Sequence, residues 1–502
     1  MPESIVLFPA TPVEIRQRND VTLTPEHDVS SPQRVAPFVS DALAHRELAH
    51  QLTPQEPTFA LYTLGCKVNQ YDSHQIARML LQRGFRRVEF REVADLYVID
   101  TCTVTAEADR KSRKAAGRAR RNNPDAVVAV TGCAATYSAE QFLRVVPDAL
   151  VLGNTSKMNL PELALLALEQ RDDWATNYAQ YREQFGSEPV PTATRERAVI
   201  KIQDGCNHRC AFCIIPTVRG ASVTKSPAAI LSEARTFVRE GARELIITGV
   251  SMGDWGHSPN TMSDDDTERG RSQRGNRELC NLLRALTTIE GLERIRVSSL
   301  DPADVDEEFL QTVAHTPKIC PHIHLALQGG SAATLRRMRR RYTPEHFLKV
   351  ARRWREIRPD GGLTTDIIVG FPGETAEDFE GSLRIAREAR FSAIHVFPYS
   401  PRAGTVAADL PDPVPPAEQN RRVDVLLELA RQLSAEYAAQ FIGQTLPILV
   451  EQIDAEQQTI EGMTPHYIKA RVIQVPKNTA VGDVILVYAH SWCDGLLHCQ
   501  PA

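Results

Sequence analysis

One stretch decides the fold of this chain, and it reads Gly205-Cys206-Asn207-His208-Arg209-Cys210-Ala211-Phe212-Cys213. The run Val199–Gln203 before it alternates and is rich in β-branched residues, which predicts a strand. The three cysteines therefore lie in a loop at the carboxyl end of that strand, with the spacing C-x3-C-x2-C. Thiolates so close together suit a shared metal centre, and soft sulfur ligands select zinc, copper(I) or an iron–sulfur cluster.

The number of cysteines in the loop separates these metals. A structural zinc ion normally takes four ligands, and the next cysteine, Cys280, lies far along the chain. His208 inside the loop is an alternative fourth ligand, and a chance group of buried thiols is the alternative without a metal. Three thiolates on a four-iron cluster leave one iron without a protein ligand, where a substrate or cofactor can coordinate.

The loop resembles the signature of the radical S-adenosylmethionine (SAM) superfamily, including the aromatic residue Phe212 before the last cysteine. The resemblance implies that Cys206, Cys210 and Cys213 hold a [4Fe-4S] cluster and form the catalytic centre. In that superfamily the open iron binds the amino and carboxylate groups of SAM. An electron from the cluster then cleaves SAM to methionine and a 5′-deoxyadenosyl radical.

Composition bounds the class of protein. With 502 residues, 42% of them hydrophobic and 24% charged, the chain suits a soluble globular protein of several domains. The net charge of −5 provides no global basic field, so a nucleic-acid site has to be local. The absence of a long apolar run and of a secretory signal predicts a cytoplasmic protein with no membrane partner. Ten cysteines in such a chain favour metal binding over disulfides.

A second group of cysteines comes from the amino-terminal part of the chain. Residues 1–56 predict a disordered extension, and residues 57–169 alternate strand and helix, which predicts a parallel sheet. Three of the strands are each followed by one cysteine: Cys66, Cys102 and Cys133. Because sites form beyond the carboxyl ends of parallel strands, these cysteines are expected to converge. The alternative is that they are three unrelated small hydrophobic residues.

Three stretches around these cysteines resemble the amino-terminal domain of the radical SAM methylthiotransferases: Leu64–Asp72, Asp100–Thr105 and Val130–Cys133. The resemblance covers about residues 57 to 500 and implies that Cys66, Cys102 and Cys133 hold a second, auxiliary [4Fe-4S] cluster. The motif Lys67-Val68-Asn69-Gln70 resembles that of the family branch that acts on N6-threonylcarbamoyladenosine in tRNA.

Residues 192–425 repeat the strand–helix pattern six times, which predicts a partial (β/α)6 barrel with its site at the carboxyl ends of the strands. The resemblance implies that Phe212, Gly249, Gln328 and Gly370 contact SAM at that face. The stretch 254–276 has almost no apolar content and predicts a mobile surface insertion. The predicted strands are Val199–Gln203, Leu245–Thr248, Arg294–Ser298, Ile323–Leu327, Leu363–Val369 and Ala393–Phe397.

In residues 440–502 the pattern predicts strands at Leu446–Val450, Tyr467–Val472 and Val484–Tyr488, which suggest a small OB-like β-barrel. This region resembles the TRAM domain of tRNA methylthiotransferases. Its basic residues Lys469, Arg471 and Lys477 either contact RNA or form a solvated face.

Two basic runs elsewhere are candidates for the tRNA backbone: the predicted helix over 110–121, and Arg336–Arg341 at the rim of the barrel. The second run could instead hold the SAM carboxylate or face solvent. Of the remaining cysteines, Cys280 and Cys320 are expected in the core, and Cys493 and Cys499 are expected to have no role.

The sequence thus predicts an α/β protein of three units: a parallel α/β domain, a partial radical SAM barrel and a TRAM-like barrel. The resemblance implies conversion of N6-threonylcarbamoyladenosine at tRNA position 37 into its 2-methylthio derivative, with two [4Fe-4S] clusters, SAM and an electron donor such as flavodoxin or ferredoxin. Alternative functions are methylthiolation of isopentenyladenosine in tRNA or of a ribosomal protein. A non-catalytic RNA-binding iron–sulfur protein is the alternative from a different class.

Overall fold

Two regions of mainly parallel strands and one closed barrel follow one another along the chain in a computed structural model. The structure describes residues 56–170, 197–256, 276–476 and 478–502. The predicted disordered extension falls on residues 1–55 outside the described part, apart from Glu56. In the described ranges, no helix combines the length and apolarity that crossing a membrane requires.

The amino-terminal sheet has five parallel strands in the order β2-β1-β3-β4-β5. Strand β3 is buried at every position because helices cover both faces of the sheet, as its apolar sequence requires. The three predicted strands are present, and β2 and β5 are short additions at the two edges. The elements are β1 (Thr58–Thr63), α1 (Lys67–Leu81), β2 (Arg86–Val88), β3 (Leu96–Thr101), α2 (Ala106–Asn122), β4 (Val127–Gly132), α3 (Cys133–Tyr137), α4 (Ala139–Leu143), β5 (Leu150–Leu152) and α5 (Leu160–Glu169).

The central region contains all six predicted strands, arranged in two four-stranded sheets in the orders β7-β6-β8-β9 and β10-β11-β12-β13. A parallel bridge between Ile295 and Ile319 joins them, which gives the curved wall of a partial barrel. The strands are β6 (Arg197–Asp204), β7 (Val223–Thr224), β8 (Glu244–Gly249), β9 (Arg294–Val297), β10 (Ser299–Leu300), β11 (His322–Leu325), β12 (Gly362–Val369) and β13 (Ala393–Pro398). The helices are α6 (Ile215–Arg219), α7 (Pro227–Arg239), α8 (Arg277–Thr287), α9 (Glu307–His315), α10 (Ala332–Arg337), α11 (Pro344–Ile357), α12 (Ala376–Ala389) and α13 (Pro416–Ala439).

The predicted surface insertion over 254–276 is wrong at both of its ends. Asp254 and Trp255 are buried, and the indole of Trp255 donates a hydrogen bond to the carbonyl of Lys225 and packs into the central core. Asn276 is buried as well, and its backbone N–H donates to Asp306. The prediction failed at this end because the indole of Trp255 packs in the core, although the residues that follow it are polar. Residues 257–275 lie outside the described part.

The carboxyl-terminal region is a closed barrel with the strand order β14-β15-β16-β18-β17. Three of its strands match predicted ones, while β15 and β18 were not predicted. Cys499 lies in the core of this barrel and Cys493 is exposed, whereas Cys280 and Cys320 are buried as expected. The strands are β14 (Thr445–Asp454), β15 (Thr459–Met463), β16 (Lys469–Ile473), β17 (Val484–Cys493) and β18 (Leu496–Pro501).

A buried carboxylate ties the carboxyl-terminal barrel to the central one. Glu244 at the start of β8 accepts hydrogen bonds from Arg294 (2.7 Å) and Arg296 (2.9 Å). Arg294 also donates to the carbonyl of Met463 at the end of β15, and Arg296 donates to that of Thr464 in the loop that follows. Burial opposes ionisation of Glu244, but the arginines more than offset it and hold the pKa of this carboxyl well below its ordinary value. The carboxyl-terminal barrel is therefore docked onto the central barrel rather than tethered beside it.

Candidate metal centres and substrate site

The cysteine loop after β6 is held in one conformation by its own backbone. Gly205 has φ +70°, and a Cβ there would lie 2.0 Å from the carbonyl oxygen of Ala221, so only glycine fits. The side chain of Gln203 donates to the carbonyl of Gly205 (2.8 Å) and to the hydroxyl of Ser222 (2.8 Å). These contacts fix the position of the backbone that leads into Cys206.

The sulfur atoms of this loop triad (Cys206, Cys210 and Cys213) receive donors from protein groups. The guanidinium of Arg340 donates to Sγ of Cys210 at 3.1 Å, and the backbone N–H of His208 donates to Sγ of Cys206 at 3.4 Å. Burial raises the pKa of Cys206 to about 11 and that of Cys213 to about 12. Clustered thiols of raised pKa, two of which accept hydrogen bonds at sulfur, fit a metal centre, since coordination deprotonates a thiol outright.

The imidazole of His208 faces an acidic side chain. Its Nε2 lies 3.6 Å from a carboxylate oxygen of the buried residue Asp254. This placement disfavours His208 as a fourth ligand of the loop triad.

The four residues predicted to contact SAM lie around one mouth of the central barrel. Gly249 ends β8, Gln328 follows β11 with φ +63°, and Gly370 follows β12 with φ +78°. Phe212 packs edge-on against Phe371, with their ring centroids 6.4 Å apart. All four therefore sit at the carboxyl ends of the strands, on the same face as the cysteine loop, and their contact with SAM remains a prediction.

The strand-end triad (Cys66, Cys102 and Cys133) lies at the carboxyl edge of the amino-terminal sheet. Its members follow β1, β3 and β4, which are neighbours in the sheet. Gly65 has φ +106°, and a Cβ there would lie 2.8 Å from Cβ of Cys102, so a side chain would push against this cysteine. Burial raises the pKa of Cys102 well above its ordinary value, and the charges of the other two cysteines act in the same direction.

Positive groups adjoin the strand-end triad. Burial raises the pKa of Cys133, whereas the nearby charges of Arg219 and Lys157 oppose that rise, so both favour the thiolate form. Asn154 donates from Nδ2 toward Sγ of Cys133 at 3.5 Å, and the backbone N–H of Val104 donates to Sγ of Cys102 at 3.4 Å. This donor set also fits a metal-bound thiolate centre.

A buried ionic network joins the amino-terminal sheet to the central barrel beside both triads. Asp72 on α1 is fully buried and pairs with Lys157, with Lys201 at 2.5 Å and with Arg219 at 3.4 Å. Arg219 and Lys201 also bind Asp204 at the end of β6, at 2.8 Å and 2.6 Å. Burial opposes ionisation of Asp204, but Arg219 and Lys201 hold its pKa well below the ordinary value. The network fixes the relative position of the two sheets.

The two triads adjoin each other across this junction. Cys133 packs in a small buried cluster with Ile214 and Val218, and Ile214 is the residue directly after Cys213. Nδ2 of Asn154 donates to the carbonyl of Val218 at 2.7 Å as well as toward Cys133. The molecule therefore places one member of the strand-end triad against the residue that follows the loop triad.

The spacing of the sulfur atoms bears on which metal they suit. Ligands about 2.3 Å from one tetrahedral zinc lie under 4 Å apart. Among the described residues, one set of three His, Cys, Asp or Glu side chains has its ligand atoms within 4.8 Å of one another. This set consists of His324, Asp366 and His395. Neither cysteine triad is gathered that tightly, which favours a larger, polynuclear cluster over a single ion.

The basic run at the barrel rim divides into different roles. Arg340 reaches Cys210 and pairs with Asp301 at 2.7 Å, while Arg341 pairs with Asp304 at 2.9 Å and Arg337 with Asp378 at 2.9 Å. Arg336 and Arg339 are exposed. Only these two members of the run are exposed enough to contact a nucleic-acid backbone. The basic surface is therefore smaller than the sequence pattern predicted.

Helix α2 presents a second basic surface. Four of its basic residues are exposed at spacings of three and four residues, which places them along one face; we name them the α2 basic stripe, and they are Lys111, Lys114, Arg118 and Arg121. In the carboxyl-terminal barrel, by contrast, Lys469 and Arg471 both pair with Glu461 at 2.6 Å, and Lys477 lies outside the described residues.

Two functional contacts escaped the sequence interpretation. The link from Arg340 to Cys210 joins residues 130 positions apart, and Arg219, six residues after Cys213, lies in the ionic network rather than on the surface. The basic run around Arg340 was visible as a signal, but its target was not. Nothing in the local spacing identifies which arginine turns inward.

Comparisons with known proteins agree with this arrangement. The family model "Radical SAM superfamily" matches residues 200–386, and "Uncharacterized protein family UPF0004" matches residues 58–153. The chain is 36% identical over 437 residues to the threonylcarbamoyladenosine tRNA methylthiotransferase MtaB of Bacillus subtilis, which covers 86% of this chain and 93% of the relative. It is 38% identical over 400 residues to the tRNA-2-methylthio-N(6)-dimethylallyladenosine synthase of Mycolicibacterium paratuberculosis, covering 78% of this chain and 75% of the relative.

Among solved structures, the radical SAM methyltransferase TsrM from Kitasatospora setae aligns with a TM-score of 0.46 at 16% identity. The match covers 68% of this chain and 72% of that chain.

Proposed function

The chain belongs to the radical SAM methylthiotransferase family, and we propose from this that it converts N6-threonylcarbamoyladenosine at position 37 of tRNA into its 2-methylthio derivative. The observation that carries the proposal is the meeting of the loop triad and the strand-end triad, linked by the packing of Cys133 on Ile214. A non-catalytic RNA-binding protein has no need for two sets of three thiols at one junction.

The target bond explains why such centres are needed. The C2–H bond of adenine is unactivated and carries no acidic proton, so acid–base side chains alone cannot replace it. We propose that the loop triad and the strand-end triad each hold one [4Fe-4S] cluster. Bound to the loop triad, such a cluster would supply the electron that cleaves SAM. With three cysteines from each triad as ligands, SAM or the sulfur to be transferred could take the remaining position.

The chain's own residues have three tasks in this scheme. Arg340 stabilises the thiolate of Cys210 by donating to its sulfur, and Arg219 and Lys157 do so through their charge at Cys133. The ionic network around Asp72 keeps the two triads at a fixed separation. The mouth of the central barrel receives SAM and the target base, which has to leave its stack to reach the junction.

The choice of base rests on the relatives and on one motif. The threonylcarbamoyladenosine enzyme matches 93% of its own length, against 75% for the dimethylallyladenosine enzyme, although the identities are close at 36% and 38%. The stretch Lys67-Val68-Asn69-Gln70 also resembles the threonylcarbamoyladenosine branch. Dimethylallyladenosine is the second candidate substrate because of the slightly higher identity of those relatives.

Capture of tRNA would use the α2 basic stripe together with Arg336 and Arg339. These side chains are exposed, and phosphate contacts by Lys and Arg supply affinity that does not depend on sequence. The net charge of −5 makes such local surfaces necessary. A small electron-transfer protein such as flavodoxin or ferredoxin is the proposed reductant.

The experiment is a turnover assay with anaerobically reconstituted protein, SAM, a reductant and tRNA that carries either threonylcarbamoyladenosine or dimethylallyladenosine at position 37. Nucleosides from the digested tRNA are separated by chromatography and identified by mass spectrometry. We expect the 2-methylthio product from the first tRNA and about eight irons per chain, as two four-iron clusters require. Product from the second tRNA alone would reverse the substrate assignment, and product from neither would refute the proposed function. Replacing dithionite by reduced flavodoxin or ferredoxin tests the electron donor.

A further inference from the structure

Lys67 joins the candidate metal site to the inside of the central barrel. It is the first residue of α1 and follows Cys66 directly, yet its ammonium points out of its own domain. Nζ lies 3.3 Å from the hydroxyl of Ser298, which follows β9, and 5.8 Å from the ring centroid of Tyr467 in the loop between β15 and β16. One side chain therefore contacts both other regions of the molecule beside a member of the strand-end triad, and we name this meeting point of Lys67, Ser298 and Tyr467 the recess.

The ammonium of Lys67 differs from those of the lysines around it. Lys157 pairs with Asp72, Lys201 with Asp72 and Asp204, and Lys225 with Glu233 at 2.6 Å. Within the ranges the structure describes, Lys67 has no carboxylate oxygen within 4.0 Å. A partly buried ammonium that neighbours a hydroxyl and an aromatic face, with no such carboxylate, lacks a counter-charge.

Two carboxylates of the central barrel are already engaged by other cations. Asp366 lies 2.9 Å from Nδ1 of His395 and 3.3 Å from Nε2 of His324. Burial opposes ionisation of Asp366, but the two histidines hold its pKa far below the ordinary value. Glu244, deeper in the barrel, is shared by three arginines. Neither carboxylate is available to neutralise Lys67.

The floor of the recess is a polar aromatic surface. Tyr467 stacks on His322 with ring centroids 4.5 Å apart, and the guanidinium of Arg296 lies 5.2 Å from its centroid. The charge of Lys67 is the largest influence that lowers the pKa of Tyr467, so positive potential reaches this floor. The recess offers hydrogen bonds and positive charge, and it suits an anionic polar group better than an alkyl chain.

We propose that this recess recognises the substituent on N6 of the target adenosine, and that Lys67 binds the carboxylate of its threonyl group with Ser298 beside it. The inference rests on the proposed function and assigns the residue that selects the substrate. Because Lys67 is covalently next to Cys66, a substituent held by its ammonium brings the base to the junction of the two triads. A dimethylallyl substituent has no charge for Lys67 to bind, and burying it there would cost the ammonium its remaining hydration.

The test compares the binding of anticodon stem-loop RNAs by fluorescence anisotropy at one fixed salt concentration. The RNAs carry at position 37 unmodified adenosine, the threonylcarbamoyl group, or the same group with its carboxylate converted to the neutral amide. The proteins are the reconstituted full chain and its Lys67→Gln, Lys67→Arg and Lys349→Gln variants, compared at equal iron content. Lys349 is exposed on α11 and serves as the matched control.

We expect the full chain to bind the carboxylate RNA roughly ten- to a hundredfold more tightly than the amide RNA, the range of one charge-assisted hydrogen bond. Lys67→Gln should remove this preference, Lys67→Arg should restore part of it, and Lys349→Gln should keep it. Equal binding of carboxylate and amide by the full chain overturns the inference without the use of any variant. Retention of the preference by Lys67→Gln overturns the assignment to Lys67.

Turnover separates this inference from the proposed function. If the full chain methylthiolates threonylcarbamoyladenosine and Lys67→Gln does so with unchanged kcat/KM, only the role of Lys67 is refuted. If the full chain does not act on that base at all, the proposed function fails. A raised KM for Lys67→Gln on the carboxylate substrate, with no such change on the amide, supports recognition by charge.

Discussion

The loop triad and the strand-end triad have the same composition but are built in opposite ways. Cys206, Cys210 and Cys213 come from one loop of eight residues that is held by its own backbone and by Gln203. Cys66, Cys102 and Cys133 come from three strands and meet only because β1, β3 and β4 are neighbours in a parallel sheet. The first centre depends on local sequence, and the second depends on a folded domain.

The charged groups around the two triads also differ in their distance from sulfur. The loop triad receives one arginine directly at sulfur, from Arg340 to Cys210. The strand-end triad has charged groups at longer range, and these groups also hold the domains together through Asp72. A change near the first triad should therefore act on electron transfer, whereas a change near the second should act on assembly as well.

The largest expected effect comes from removing the loop triad. Replacing Cys206, Cys210 and Cys213 by alanine should abolish SAM cleavage and lower the iron content by about half, since each triad would hold one four-iron cluster. Iron per chain and 5′-deoxyadenosine formed are the measurements, and the exposed Cys493→Ala is the matched control. Full iron content in the triple variant would show that the loop does not hold a cluster.

A large effect on stability is expected at the strand-end side. Asp72→Asn leaves Lys157, Lys201 and Arg219 crowded without their shared carboxylate, and breaking a buried ionic group of this kind costs about 3–5 kcal/mol. The urea midpoint of the iron-loaded protein should fall, together with iron held by the strand-end triad. Asp148→Asn, which removes a surface partner of Arg120, should change stability by less than about 1 kcal/mol. Equal midpoints for the two variants would refute the role of the network.

A moderate effect is expected on the reduction potential at the loop triad. Arg340→Gln removes a positive charge and a donor from Cys210, so the reduced, more negative centre loses stabilisation and the midpoint potential should fall. A change of about 1.4 kcal/mol corresponds to about 59 mV for one electron, so a shift of tens of millivolts is expected. A potentiometric titration followed by electron paramagnetic resonance measures it, with the exposed Arg339→Gln as control. Identical potentials would mean that the contact is structural.

The smallest effect concerns tRNA capture. Replacing Lys114, Arg118 and Arg121 by glutamine should weaken tRNA binding and flatten its dependence on salt, by up to roughly 0.9 units of log–log slope for each phosphate that the variant no longer neutralises. These residues lie on α2 of the amino-terminal domain. The domain that contains the strand-end triad would therefore also bind the RNA. An unchanged slope, against Lys349→Gln as control, would exclude this surface.

The sequence allowed prediction of the elements that depend on local pattern. The six strands of the central region and the cysteine loop follow from alternation and spacing within short windows. The three strand-end cysteines could be grouped because each follows a strand of one predicted sheet. The short edge strands β2 and β5 escaped because three residues carry too little periodicity.

Contacts between distant residues could not be predicted. Asp72 and Lys201 are 129 positions apart, and Lys67 and Ser298 are 231 positions apart, so no window of sequence contains either pair. Tyr467 also illustrates this limit, since it belongs to a loop of the carboxyl-terminal barrel but stacks on His322 of the central one. Charged residues whose local sequence predicts a solvated surface form these contacts between regions only in the assembled fold.

The loop triad is proposed to cleave SAM and the strand-end triad to provide the sulfur, and Cys102→Ala tests this division most directly. One assay with this variant, SAM, reductant and threonylcarbamoyladenosine-bearing tRNA measures 5′-deoxyadenosine and the 2-methylthio nucleoside together. We expect 5′-deoxyadenosine to form while the methylthio nucleoside is absent, since cleavage of SAM needs the loop triad alone. Methylthio product at the level of the unaltered protein, or loss of both products from a folded chain that retains iron at the loop triad, would contradict the division.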